Sequence, residues 1–216
     1  MTICPEYDQI HQEMADVHWK WQNFNEMFAD QAHFELLNKR LPGFGVLAHN
    51  TLLDAVVLGI CRLLDPAESF GKPNLTFDQL KSKATTDPSR LAWLETEIGK
   101  AKAAAANLKT HRNKRIAHLD LTNALGPTMV LPNLSRNDID DVLALLRGVM
   151  NGIGEWSNEP ERGYDVLSFG DADQLIWCIQ QANRLCELQD DAHCQRLDQQ
   201  QIVDKLKIRP FAAKRG

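Results

Sequence analysis

The chain has 216 residues, of which 44% are hydrophobic and 25% are charged, and its formal net charge is −5. These values are ordinary for a globular protein and suit one domain, or one domain with an extension. An odd number of cysteines without a CxxC pair indicates free thiols in a reducing compartment and argues against a zinc site; they are Cys4, Cys61, Cys178, Cys186 and Cys194.

The sequence carries no signal for export or for membrane insertion. The N-terminal residues are acidic and polar, without the basic and then apolar succession of a signal peptide. Asp54 and Arg62 interrupt the longest apolar runs too soon for a membrane span. We therefore expect a cytoplasmic protein that does not associate with a membrane.

Hydrophobic residues recur at steps of three and four along most of the chain, which predicts amphipathic helices. The predicted helices cover approximately residues 7–29, 33–40, 46–64, 76–84, 87–120, 135–156 and 172–189. His18 lies off the apolar stripe of the first helix and is expected at the surface, with a role as a ligand as the less favoured alternative. No alternating strand pattern or internal repeat is present. The sequence therefore predicts an all-α bundle of five to seven helices.

The segment from Val46 to Leu64 is apolar nearly all round, so we expect a helix that is buried on most sides. A break over Leu41 to Gly45 is expected before it. Its carboxylates need partners if they are buried. Asp54 or Asp65 could orient an arginine or histidine of another helix. The favoured interpretation of Asp65 is simpler, because this residue also ends the helix before Pro66.

A basic segment, Lys109 to Asp120, stands out chemically. The residues from Ala101 to Leu119, which we call the basic stretch, include no acidic residue and five lysines and arginines, although the chain as a whole is acidic. Such a local excess of positive charge indicates an anion site. On a regular α-helix, four side chains of the segment would share an arc of roughly 120°; they are His111, Arg112, Arg115 and His118.

Arginine binds phosphate through a planar fork of donors, and imidazole transfers protons near neutral pH. Together they suit the cleavage of RNA, which needs a base for the 2′-hydroxyl and an acid for the leaving oxygen. One His118 cannot serve both roles at once, but two copies related by a two-fold axis could. The alternative is a solvated basic helix end that complements the helix dipole.

The run Arg112-Asn113-Lys114-Arg115-Ile116-Ala117-His118 resembles the signature of the HEPN superfamily, in which arginine, a polar residue and a later histidine follow one another. The pattern through Asp120 is similar in particular to the abortive-infection (AbiU2-like) HEPN type. The resemblance covers roughly Phe44 to Asp120. It implies a helical bundle in which two long helices pack antiparallel, with the motif at the end of one.

The resemblance also implies a homodimer with a shared cleft and, in many members, metal-independent endoribonuclease activity of a toxin or antiviral effector. Other members are non-catalytic scaffolds that bind RNA, a nucleotide or a partner protein. A third possibility is a helical interaction protein whose motif is accidental. No cofactor or metal is expected. The implied partners are RNA, a second copy of the chain and an antitoxin or regulatory protein.

The residue roles follow this resemblance. We expect catalysis from Arg112, Asn113 and His118. The residues expected to bind RNA are Lys109, His111, Lys114 and Arg115, and the candidates to orient them are Asp54, Asp65 and Asp120. One helical domain is expected over residues 1–190, followed by a polar and basic extension over residues 191–216.

Overall fold

The computed structural model describes residues 3–116, 133–164 and 170–195. Its helices are α1 (Pro5–Met27), α2 (Gln31–Arg40), α3 (Pro42–Leu63), α4 (Phe77–Ala84), α5 (Pro88–Ala104), α6 (Ala106–His111), a π-helical turn (Arg112–Ile116), α7 (Arg136–Glu155) and α8 (Asp171–Gln195). The prediction of an all-α fold is confirmed. Counted with α5, α6 and the π-helical turn as one interrupted helix, the described part of the chain contains seven helices.

A two-stranded hairpin was not expected. Strands β1 (Glu68–Ser69) and β2 (Lys72–Pro73) pair antiparallel, with Glu68 opposite Pro73. With two residues in each strand, the hairpin is too short to give an alternating pattern in the sequence.

Several helices begin where their capping residues predict. Asp87 accepts a hydrogen bond from the Arg90 amide, and Pro88 occupies the first turn of α5. Ser135 and Asp138 form a capping box at the start of α7. Both caps satisfy amide groups that a helix leaves without an internal partner. The long helix that leads into the basic segment therefore begins at a strongly specified point.

Helix α3 departs from its prediction in two ways. It begins at Pro42 rather than Val46, because proline suits the first turn and the Gly45 amide already donates to the Leu41 carbonyl at 2.8 Å. Its buried hydrophobic residues lie in the C-terminal half, whereas Val46 and Leu47 are exposed. Helix α3 is long and apolar enough to cross a membrane, but core helices of soluble proteins can have the same length and composition. The expectation of no membrane association stays a prediction.

The chain forms two compact units, the first made of residues 1–21 and 53–167 and the second of residues 22–52 and 168–216. In the first unit, α1 packs against α7: the Tyr7 hydroxyl donates to the Met150 carbonyl at 3.2 Å, and Trp21 Nε1 donates to Asp140 Oδ1 at 2.6 Å. The prediction of one domain over residues 1–190 stays a prediction. Residues 196–216 of the expected extension lie outside the described residues.

In the second unit, α2 packs against α8. Arg40 Nε donates to Asn183 Oδ1 at 2.6 Å, and Lys39 Nζ lies 2.9 Å from Glu187 Oε1. Hydrogen bonds from Lys39 and then Asn183 lower the pKa of Glu187, with the bond from Lys39 as the largest cause. Polar side chains thus tie the two helices together along one edge.

The expectation that His18 lies at the surface is wrong. His18 is buried and stacks on the buried ring of Tyr164, with 5.2 Å between the ring centroids. The Tyr164 hydroxyl lies 2.8 Å from His11 Nδ1. Burial lowers the pKa of His11, and Arg162 adds to the effect. Tyr164 lies between two predicted helices, where periodicity gives no signal for a core residue.

The long helix that leads into the basic segment is held by close packing of α5 on α7. A Cβ atom built on Gly152 of α7 would lie 2.3 Å from Cη2 of Trp93 on α5. The Trp93 ring meets Trp156 edge-on, with 5.5 Å between centroids, and Arg90 lies over the Trp156 ring. Glycine at residue 152 is therefore what lets the indole of Trp93 reach the backbone of α7.

We predict that Gly152→Ala lowers the free energy of unfolding by about 1–2 kcal/mol, because overpacking outweighs the gain in helix propensity. Gly148→Ala on the same helix is the matched control, since nothing lies within 4 Å of a Cβ atom built there. It should stabilise by about 0.5–1 kcal/mol. Urea unfolding measures both, and a change of the same sign for the two variants would contradict the packing argument.

Candidate basic site at the end of the long helix

The basic segment begins where the long helix loses its regularity. Ala105 separates α5 from α6 with φ −79° and ψ 5°, and the residues from Arg112 to Ile116 form a π-helical turn. Leu108 on α6 is fully buried and fixes this short helix against the core. Isolated π-helical turns recur at functional sites. The regular 100° spacing assumed from the sequence does not hold beyond His111.

Arg112 is a strongly fixed side chain of the segment. Its Nη1 donates to both carboxylate oxygens of Asp65, at 2.7 and 2.8 Å, and its Nε donates to Asn113 Oδ1 at 3.0 Å. The Arg112 side chain is only 16% exposed and that of Asp65 is 29% exposed. Charge-assisted hydrogen bonds of this length restrict the guanidinium to one orientation. Among the described residues, these contacts occupy Nε and Nη1, and Nη2 is the remaining guanidinium nitrogen.

The contact answers the question that the sequence left open about Asp65. This residue follows α3 before Pro66, as the favoured interpretation has it, but it also holds Arg112 across 47 positions of sequence. The alternative interpretation, in which Asp65 orients an arginine of the segment, describes the observed contact. The favoured one was incomplete, because a carboxylate at a helix end can also bind an arginine.

Asp54 forms the second contact of this kind, with Arg115 Nη2. Asp54 lies on α3, and Asp65 follows the end of this helix by two residues. The Arg115 side chain is 43% exposed and that of Asp54 is 33% exposed, so this pair is more open to solvent. The arginine that comes later in the sequence pairs with the aspartate that comes earlier, as expected when the segment that carries the arginines runs antiparallel to α3.

The positive charge of the basic stretch is largely compensated in three dimensions. Lys102 binds Asp78 of α4, Arg112 binds Asp65, and Arg115 binds Asp54. Three of the five lysines and arginines between Ala101 and Leu119 therefore have a carboxylate partner from a distant part of the chain. What distinguishes the site is the placement of its cations rather than an excess of charge.

A small cavity of about 120 Å³ lies beside Asp65, on the side of Lys109. Its lining also includes Lys102, Ala105 and Cys61. Burial raises the pKa of the Cys61 thiol to about 11, so this cysteine is protonated at neutral pH and is not a nucleophile. The cavity brings Lys109, a predicted RNA-binding residue, close to the carboxylate that holds Arg112.

The structure thus brings together Arg112, Asn113 and Asp65, adds Lys109 through the cavity, and places Arg115 with Asp54. His111 ends α6 and Lys114 lies in the π-helical turn, both partly exposed. His118 and Asp120 lie outside the described residues, so their predicted roles stay predictions. Within the described part of the chain, no group of three His, Cys, Asp or Glu side chains could hold a metal ion.

Sequence reasoning missed the participation of Lys102 and Cys61 in the wall of the site. Lys102 precedes Ala105 by three residues and Lys109 by seven, a spacing that places all three on one helix face. That spacing was the available signal for Lys102. No comparable signal marks Cys61, because in sequence it is one more apolar residue of α3.

A family model described as AbiU2, of the HEPN type, matches residues 2–167. The match spans the helices of the site and the whole basic segment. No curated protein matches the chain, and no solved structure does.

We predict that Asp65→Asn lowers the free energy of unfolding by about 1–2 kcal/mol, because the substitution removes a charged acceptor from a mostly buried guanidinium. Asp54→Asn is the matched control. Its more exposed ion pair should contribute about 0.5 kcal/mol or less. Urea unfolding at neutral pH compares the two, and equal losses would show that burial of Arg112 has no special weight.

Proposed function

The chain belongs to the AbiU2-type HEPN family of abortive-infection proteins, and we propose that it is a metal-independent endoribonuclease. The observation that carries this proposal is the fixed guanidinium of Arg112, held by Asp65 and Asn113 near a cavity whose lining includes two lysines. A preorganised donor of this kind stabilises charge without having to reorient during the reaction.

The first step concerns the phosphate. Nη2 of Arg112 would donate to a non-bridging oxygen of the scissile phosphodiester, while Asp65 keeps the guanidinium plane fixed through Nη1. Negative charge develops on those oxygens as the 2′-hydroxyl attacks phosphorus, and a fixed donor stabilises this charge as it appears. Lys109 and Arg115 would contact neighbouring phosphates and set the register of the RNA.

The second step concerns protons. Attack by the 2′-oxygen releases one proton, and departure of the 5′-oxygen requires one. His118 would accept the first proton, and His118 of a second copy would supply the other, since one imidazole cannot be both base and acid in a single step. The products are a 2′,3′-cyclic phosphate and a free 5′-hydroxyl.

We predict that the purified protein cleaves single-stranded RNA in the presence of EDTA and leaves a cyclic phosphate end. His118→Ala should lower the rate by roughly a hundred- to ten-thousand-fold, because proton transfer is lost. Arg112→Lys keeps the charge but loses the planar fork, so it should also slow cleavage substantially.

His111→Ala is the control for these variants, since it lies outside the motif spacing and should have a much smaller effect. Activity that EDTA abolishes and magnesium or manganese restores would contradict the proposal. Tight RNA binding without cleavage by the wild-type protein would instead identify a non-catalytic scaffold. An effect of His111→Ala as large as that of His118→Ala would make a single-chain histidine pair the better mechanism.

We also propose that the active form is a homodimer, because the acid–base pair is incomplete in one chain. A two-fold axis presents the same patch twice, so it supplies the second His118 without a further residue type. The contribution of the second copy can be tested with a mixed dimer.

We predict that a purified heterodimer of one wild-type and one His118→Ala subunit, each with its own affinity tag, loses far more than half of the activity. Each reaction needs both histidines, so one substitution removes the pair. Retention of half the wild-type rate would mean that each subunit acts alone. A monomer by light scattering at micromolar concentration with activity intact would exclude the dimer as the active form.

A further inference from the structure

The tip of the β1–β2 hairpin presents an aromatic ring to solvent. Phe70 is fully exposed, and it forms the two-residue turn together with Gly71. Both residues have positive φ, 52° for Phe70 and 73° for Gly71. This is the backbone of a two-residue turn that matches the twist of short hairpins.

Neither conformation nor packing accounts for a phenylalanine at this position. The first residue of such a turn favours asparagine, aspartate or glycine, and a bulky side chain in the left-handed region costs about 1 kcal/mol or more. A fully exposed ring also gains nothing from burial within the chain. An aromatic residue at a costly position, with its faces open, is suited to stacking on a flat ligand.

The hairpin is a firm support for this ring. The backbone amide of Asn74 donates to the Ala67 carbonyl at 2.8 Å. Its side-chain Nδ2 donates to the Pro66 carbonyl and to Ser69 Oγ, each at 2.9 Å. These bonds close the base of the hairpin directly after Asp65. The carboxylate that holds Arg112 and the hairpin that carries the aromatic ring are therefore parts of one connected structure.

The distance between the ring and the arginine site suits a short piece of RNA. Phe70 follows Asp65 by five residues, so their Cα atoms are at most about 18 Å apart. A cavity of about 240 Å³ lies beside Asp65 and the base of the hairpin, and its lining includes Glu13, Arg62, Asp65, Ser69 and Asn74. A strand whose phosphate binds at Arg112 can span the separation between Asp65 and Phe70 within a few nucleotides.

We propose that Phe70 is a stacking platform for an unpaired base of the RNA substrate, a few nucleotides from the phosphate that Arg112 binds. This inference rests on the proposed function for its ligand. Stacking needs only the face of a base, so the contact fixes the position of the strand without reading its sequence. Phe70 is a binding residue and takes no part in the proton transfers.

Fluorescence anisotropy of a labelled, unstructured RNA tests the proposal, with every variant made in a parent that carries His118→Ala so that the RNA stays intact. Phe70→Asn should weaken binding roughly fivefold to a hundredfold, as expected for the loss of one stacked base. Asparagine tolerates positive φ, so this variant should fold at least as stably as its parent. Phe70→Trp should bind within about threefold of the parent, because it preserves the aromatic face.

A set of RNAs with one abasic ribose at successive positions locates the stacked base. At one position the abasic RNA should bind the parent more weakly, and on that RNA the parent and Phe70→Asn should have equal affinity. Equal affinity of the two proteins for the intact RNA would overturn the proposal. A loss in Phe70→Asn that persists on every abasic RNA, or a change in its oligomeric state, would also overturn it.

The two proposals fail separately. If the wild-type protein binds RNA through Phe70 but does not cleave it, the stacking platform stands and the nuclease assignment falls. If it cleaves RNA and Phe70→Asn changes neither RNA affinity nor KM, the nuclease assignment stands and the platform falls. Absence of RNA binding in every protein tested would remove the platform altogether.

Discussion

The arrangement of the site depends on the ion pair between Arg112 and Asp65. A guanidinium that is only 16% exposed has lost much of its hydration, so it needs a carboxylate close by. Asp65 supplies this charge just after the end of α3, where Pro66 stops the helix and turns the chain. The contact therefore joins three features at one point: the end of α3, the π-helical turn and the base of the hairpin. Within the described part of the chain, removing Asp65 would leave Arg112 without a carboxylate partner.

The position of this ion pair depends on helix packing at a distance from it. Gly152 admits Trp93 to the surface of α7, which sets the position of α5. The buried Leu108 then fixes α6, and the π-helical turn changes the direction of the side chains from Arg112 onward. The local irregularity is tolerated because the helices that precede it are firmly packed. A uniform helix would present the arginines at a different angle to α3.

The sequence predicts the helices well because periodicity and capping residues are local signals. Asp87 and Ser135 mark helix starts that the structure confirms. The exposed half of α3 was not predictable in this way, because apolar composition alone does not say which partners a helix has. The π-helical turn was also missed, since the residues from Arg112 to Ile116 have ordinary helix propensities. Phe70 gave no signal for another reason, because a hairpin with two residues per strand leaves no pattern.

The contacts of the basic stretch also change what its charge can mean for function. From its charge in the sequence alone, this stretch should attract any polyanion strongly. In the structure, Arg112 and Arg115 are each neutralised by a carboxylate of α3 or its end, so they contribute less to long-range attraction. A paired arginine still donates short, directed hydrogen bonds from its remaining nitrogen. The pairing therefore lowers long-range attraction and fixes the orientation of the guanidinium. In the proposed nuclease, this would favour the placement of one phosphate over the retention of any RNA.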